Sequence, residues 1–402
     1  MPLKNIFSTN LPAGVRHNLY RLYIIKAAKW FMLIMPIAVP FYEDNGLSLH
    51  QVMIVKAVYS VSIVILEIPS GYFADVIGRK NTLIIGSILG TVGFIAYSLS
   101  YGFYGFIIAE IVLGAGQSLI SGSDSATLYD TLSEYGEEDK YSRYEGRIIS
   151  LGNFSEAIAG VLGGLLAVLS LRYPYYAQAI VAFAAIPASL GIREPARHVS
   201  MAVLRFRDIF EIFRNSLFKD RKLSANILFS SIIGTATLTM AWFIQPLFGT
   251  AGIPLALYGI LWTLLNIVVA ISSLFAYRFE KHLGERKTLI FICVLIPSGF
   301  ILAALFSEAL IILLILFIFY IVRGIATPVL KDYINKLSDS GRRATVLSVR
   351  SFIIRINFAI IAPATGWLSD TYTLKTGMII SGTLFLVLSL PLLLNYLYRL
   401  RD

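Results

Sequence analysis

The sequence predicts an all-α polytopic membrane protein, with twelve transmembrane helices in two pseudo-symmetric six-helix bundles. Three observations predict it. The mean hydropathy is +0.74, with 57% of residues apolar and 14% charged, far from the composition of a soluble domain. Apolar runs of membrane length, about 20 residues each, recur along the whole chain with short polar breaks between them. Lys and Arg are concentrated in alternate breaks, the asymmetry that orients membrane proteins.

In chain order, the N-terminal segment carries Lys4, Arg16 and Arg21 and lacks a small-residue cleavage site after a short apolar core. The first helix is therefore expected to be retained rather than removed as a signal. Spans are predicted near 18–42, 49–73, 82–100, 104–132, 143–170, 174–192, 223–248, 255–279, 288–306, 308–335, 342–370 and 376–398. With the N-terminus inside, the inner breaks and adjoining helix ends hold most Lys and Arg, whereas the outer loops hold Arg172 and Lys375. This places both termini in the cytoplasm, in a membrane of the bacterial inner or plasma type.

The longest hydrophilic break divides the chain into residues 1–193, a linker at 194–222, and residues 223–402. Within the linker, Met201 to Phe218 mixes Leu204, Phe206, Phe210 and Phe213 with Arg205, Arg207, Glu211 and Arg214. That pattern predicts an amphipathic helix on the inner leaflet. The halves repeat faintly: Arg278 to Lys287 echoes residues 71–80, and Ala362 to Gly366 echoes Gly160 to Gly164, which aligns Asn153 with Arg355.

Ionised side chains inside a bilayer are costly and face protein or water. Spans 3, 6, 7, 8, 9 and 12 have none in their interiors; spans 1, 2, 4, 5, 10 and 11 carry them all. On span 4, Glu110, Gln117, Ser121 and Asp124 fall in one stripe if the helix is continuous, with Asp130 on another side. Span 1 carries Lys26 and Lys29 on adjoining positions of one face, Lys26 at about the depth of Glu67 and Lys29 at about that of Asp124. A Lys26–Glu67 ion pair is one way to lower the cost of burial. Span 5 presents Gly146, Ser150, Asn153, Gly160 and Gly164 on one stripe with Glu156 at its edge, a pattern that also serves close packing. Arg323 on span 10 and Arg355 on span 11 are further intramembrane cations, and Arg350 is expected to be structural.

A lone Cys293 excludes an internal disulfide and argues against a cysteine metal site. His17, His50, His198 and His282 all lie at span ends or in loops, so neither a histidine metal cluster nor a midmembrane relay is expected. The net charge of +10 follows the topology and does not imply nucleic acid. No cofactor is expected, and no P-loop spacing supports nucleotide driving.

The break between spans 2 and 3 reads Gly71-x-x-x-Asp75-x-x-Gly78-Arg79-Lys80. It closely resembles the corresponding loop of the major facilitator superfamily. That resemblance extends along the whole chain in span count, halves and inner-loop charge. It implies a fold in which helices 3, 6, 9 and 12 form the lipid-facing layer and helices 1, 4, 7 and 10 line a central cavity. It also implies that Asp75 meets the start of helix 11 near Gly341 and Arg342, and that Arg79 meets Asp130, locking the inner side. Drug/proton antiporters of the family carry an Arg in helix 4 four residues before a glycine, where this chain has Glu110 before Gly114. Their helix-5 proline is replaced by Val161 ahead of Gly163 and Gly164.

The function expected is secondary transport by alternating access, around a midplane site between two bundles. The cargo is a small organic solute, anionic or zwitterionic in view of the buried bases, moved with proton coupling and with export favoured. Substrate-binding candidates are Lys29, Gln117, Asn153, Arg323 and Arg355; proton-coupling candidates are Glu110, Asp124 and Glu156, since loss of water favours the neutral form of a carboxyl group and lets it change protonation as a cavity opens and closes. A lipophilic-drug/proton antiporter and a lipid-moving protein are the alternatives. No convergent nucleophile, base or metal set supports an enzyme. The expected partners are the solute, protons and the bilayer, with the chain acting as a monomer.

Overall fold

The computed structural model describes residues 11–195, 214–338 and 343–399. Its helices are α1 (Ala13–Trp30), α2 (Ala38–Asp44), α3 (Leu49–Ile77), α4 (Arg79–Leu99), α5 (Phe103–Ile120), α6 (Ser123–Glu134), α7 (Tyr141–Leu169), α8 (Tyr173–Phe183) and α9 (Ala185–Leu190). After the linker come α10 (Arg221–Thr250), α11 (Leu255–Leu283), α12 (Glu285–Leu305), α13 (Ala309–Leu337), α14 (Arg343–Thr371) and α15 (Leu374–Arg399). Among the described residues, 11 helical stretches are long and apolar enough to cross a membrane. The sixth predicted span is realised as α8 and α9, joined through Ala184. Most of the predicted amphipathic linker helix lies outside the described residues. Its end forms a π-helical turn at Asn215–Lys219, and Asp220 then caps α10 by accepting the backbone N–H groups of Lys222 and Leu223.

Two further predicted spans are not continuous. Span 1 ends its first helix at Trp30 and resumes through a 3₁₀ turn at Met35–Ile37 before α2. Pro36 has no N–H to donate back along the helix, and irregular backbone at membrane depth survives only where protein satisfies it. Gln178, fully buried on α8, does this by accepting the Leu33 N–H at 2.8 Å. On α7, Gly163 leaves the space the break needs: a Cβ there would sit on the Leu33 carbonyl oxygen. Span 4 breaks at Ser121–Gly122, with Gly122 at φ 86°. The stripe from Glu110 through Asp124 therefore does not hold beyond Ile120, because the 100° step ends with α5.

Packing separates the chain into two compact units, Met1–Met35 with Ser62–Met201, and Pro36–Val61 with Ala202–Asp402. In the first, Leu22, Ile25 and Ala28 of α1 join Leu128 and Leu132 of α6, Tyr144 and Ile148 of α7, and Ala185 and Ala188 of α9 in one core. On α4, Ile85, Ile88, Val92 and Ile95 stay exposed at helical spacing, a stripe suited to lipid and unsuited to water.

In the second unit, residues 36–61 are fastened to α10 and α14. Gln245 accepts the Val39 N–H at 2.7 Å. Asp370 accepts the Leu49 and His50 N–H groups at 3.1 and 2.7 Å, capping the start of α3. His50 Nδ1 lies 2.8 Å from the Pro363 carbonyl oxygen.

The two halves also repeat element by element. α3 and α11 each have 29 residues, and α4 and α12 each have 21. Both joints are a single glycine, Gly78 at φ 101° and Gly284 at φ 79°, a conformation that side chains rarely adopt.

Candidate transport site

A buried ion pair lies in the first unit. Lys26 Nζ of α1 is 3.3 Å from Asp124 Oδ2, with side chains 12% and 11% exposed. The break at Gly122 creates this arrangement by putting Asp124 in the first turn of α6, where a carboxylate is favoured by the helix dipole. Its other oxygen accepts the Ser125 N–H at 2.8 Å. Ser125 Oγ in turn donates to Glu145 Oε1 of α7 at 2.7 Å. Lys29 is half-buried and lies in the field of both Asp124 and Lys26. Trp30 completes this wall: its ring centroid is 5.9 Å from Lys26 Nζ, and its indole packs on Gly152 of α7. Lys26 thus meets Asp124 rather than Glu67, whose side chain is exposed.

Glu110 has a different setting. It is 2% exposed and accepts the Tyr97 hydroxyl of α4 at 2.5 Å. Tyr97 also stacks on Tyr175 of α8, with ring centroids 5.5 Å apart. Glu110 is therefore engaged with α4, next to an aromatic cluster, while Asp124 is engaged with α1. Glu156 and Gln117 are half-buried, and Asn153 is exposed. In the second unit, Arg323 is half-buried beside the Tyr320 ring at 5.1 Å, and Arg355 is half-buried on α14. Arg350 is buried and hydrogen-bonds Ser230 of α10.

At the joint between α3 and α4, Arg79 Nε lies 3.3 Å from Asp130 Oδ2, both about a quarter exposed. Arg79 and Lys80 also donate their backbone N–H groups to Glu194 at 2.9 and 2.8 Å. Sequence reasoning missed Glu194 and found only the charged loop; an acid far along the chain gives no local sign that it will cap a helix. The side chains of Gly71's neighbour Tyr72 and of Asp75, and the residues Gly341 and Arg342, lie outside the described residues. The contact of Asp75 with the start of helix 11 lies outside them too.

The second half carries a counterpart of this joint with opposite polarity. Glu285 follows Gly284 as Arg79 follows Gly78, and Lys336 lies as far into α13 as Asp130 lies beyond the start of α5. Glu285 accepts the Tyr396 hydroxyl at 2.8 Å, Glu280 accepts that of Tyr333 at 3.0 Å, and Lys336 pairs with Asp332 at 2.7 Å.

Two repeated halves built of membrane-length helices define a polytopic membrane protein. The chain belongs to the Major Facilitator Superfamily, whose family model matches residues 22–360. It is a secondary transporter and not an enzyme. It is 22% identical over 367 residues to the uncharacterized MFS-type transporter YxaM of Bacillus subtilis (strain 168), covering 88% of this chain and 89% of that protein. It is 24% identical over 166 residues to the quinolone resistance protein NorA of Staphylococcus aureus, covering 41% and 42%. In fold it matches the crystal structure of the nucleoside transporter NupG with a TM-score of 0.79 at 14% identity, covering 96% of this chain and 99% of that one. A bacterial homologue of the human lysosomal transporter Spinster matches with a TM-score of 0.78 at 13% identity, covering 96% and 97%.

Proposed function

We propose that this transporter moves a small anionic or zwitterionic organic solute together with a proton, so that an inward proton gradient drives uptake and not the export favoured from the sequence. The observation that carries the reading is the buried Lys26–Asp124 pair with Lys29 beside it. While Asp124 is ionised it occupies Lys26. A proton on Asp124 removes that competitor and leaves two ammonium groups for a solute carboxylate or phosphate. Proton and anion then favour one another's binding, and by linkage the coupling is reciprocal. Lys29 is the solute's contact, Asp124 the proton carrier. Gln117, Asn153, Arg323 and Arg355 are further solute contacts, and Glu110 and Glu156 secondary proton sites. The chain works as a monomer in a plasma membrane.

The test uses purified protein in liposomes loaded with a pH-sensitive dye. External carboxylates or zwitterions are expected to acidify the lumen as they enter. Asp124→Asn retains solute binding but loses its pH dependence and the proton flux. Lys29→Gln weakens binding by about 1.5–3 kcal/mol, the worth of a charged hydrogen bond. Acidification that survives Asp124→Asn, Glu110→Gln and Glu156→Gln alike overturns the assignment of the proton.

A second reading, export of lipophilic drugs against protons, is favoured by the similarity to NorA. There a cationic solute displaces the proton from Asp124. Its sign is opposite: an outward solute gradient would be built by an inward proton gradient, and cations rather than anions would move protons.

A further inference from the structure

Lys56 of α3 takes no part in the site above, yet it is among the most enclosed cations of the described residues, 8% exposed. Its ammonium lies 5.0 Å from the ring centroid of Tyr42 and 4.8 Å from that of Trp242. Tyr42 is fully buried at the end of α2, held edge-on against Phe41 with centroids 5.9 Å apart. Trp242 is half-buried on α10. One turn further along α10, Gln245 accepts the Val39 N–H of α2, so the backbone that carries Tyr42 is fixed to the helix that carries Trp242. The helix that carries Lys56 is fixed as well, through the Asp370 cap on its first turn. The backbone segments that carry the two rings are thus held by contacts that do not involve the lysine side chain.

Two aromatic faces within about 6 Å of one positive charge form the arrangement by which proteins bind organic cations. We propose that Tyr42 and Trp242 form an organic-cation site that this protein fills with its own Lys56, and that Lys56 thereby excludes lipophilic and quaternary cations. A tethered ammonium holds the rings at a high effective concentration. A free cation must displace it and then share the enclosure with a like charge. Lys56 is accordingly a specificity-determining residue, acting by repulsion as much as by occupancy. This deepens the reading of an anionic or zwitterionic cargo and rests on it for its biological meaning.

The test is equilibrium binding of tetraphenylphosphonium to the purified full-length protein, with no gradient and no transported solute. Lys56→Ala and Lys56→Gln are expected to bind the probe at least tenfold more tightly than the parent protein. Lys56→Arg keeps the exclusion, because the charge stays in the cage. Adding Trp242→Leu to Lys56→Ala abolishes the gain. Thermal unfolding identifies variants that have lost their fold; if Lys56→Ala is one of them, Lys56→Gln decides, being nearer in length and polarity. The proposal is overturned if the parent protein binds as tightly as the folded neutral variants, or if the gain survives Trp242→Leu. Neither result bears on lumen acidification by anions, so this inference and the proposed function fail separately.

Discussion

Lys26 and Asp124 show how a buried ion pair contributes more to function than to stability. Bringing both charges out of water costs nearly what their attraction returns, whereas removing one partner strands the other. Asp124→Leu is expected to destabilise the protein by about 3 kcal/mol or more, and Lys26→Met similarly. The double variant should recover most of that loss, because no uncompensated charge remains at the pair. Thermal or denaturant unfolding in detergent of the two singles and the double closes this cycle. Losses that simply add would mean that the two side chains do not depend on one another. Residue types in the sequence identified both members as costly intramembrane charges, but depth alone offered Glu67 as the partner of Lys26. The structure separates them because the broken span 4 brings Asp124 to α1.

At the scale of elements, the breaks and caps matter more than the regular helices. Hydropathy located the spans, since each needs an apolar run whatever its detailed path. It did not show the interruptions at 31–34 and 121–122, whose backbone groups are satisfied by residues remote in sequence such as Gln178. The charged joints were legible in the first half as a motif. In the second half they were legible only as a degenerate echo, because Glu285 and Lys336 exchange the signs of Arg79 and Asp130. The cap on α3 was not legible at all, as Asp370 lies in the other half of the sequence. Its role is measurable. Asp370→Ala leaves the Leu49 and His50 N–H groups without that acceptor, at a cost of about 1–2 kcal/mol. Hydrogen exchange in the first turn of α3 should speed up by roughly tenfold, following the usual free-energy arithmetic, while that of α4 stays unchanged. Equal protection in the variant would show that the carboxylate does not hold this helix start.

For the whole molecule, the number and apolarity of the spans, the two-part repeat and the family were legible because the bilayer constrains every crossing alike. The grouping of residues 36–61 with the C-terminal part was not, since helix–helix contacts leave no periodic mark in the chain. The distribution of basic residues predicts that both termini face the cytoplasm, an expectation that labelling tests. Cys293 is buried, so its replacement by Ala gives a background for single-cysteine labelling. Exposed positions with ordinary backbone angles serve best: Asp44 and Ser307 in predicted outer loops, Glu138 and Lys287 in predicted inner ones. In intact cells, a membrane-impermeant maleimide should label cysteine at 44 and 307 and leave 138 and 287 unmodified until the cells are opened. Because the helices alternate strictly, these four positions are coupled through the topology. Reversal at all four would invert the molecule while keeping the helix count. Reversal of Ser307→Cys alone would change the number of crossings between the linker and α13, and with it the division into equal halves.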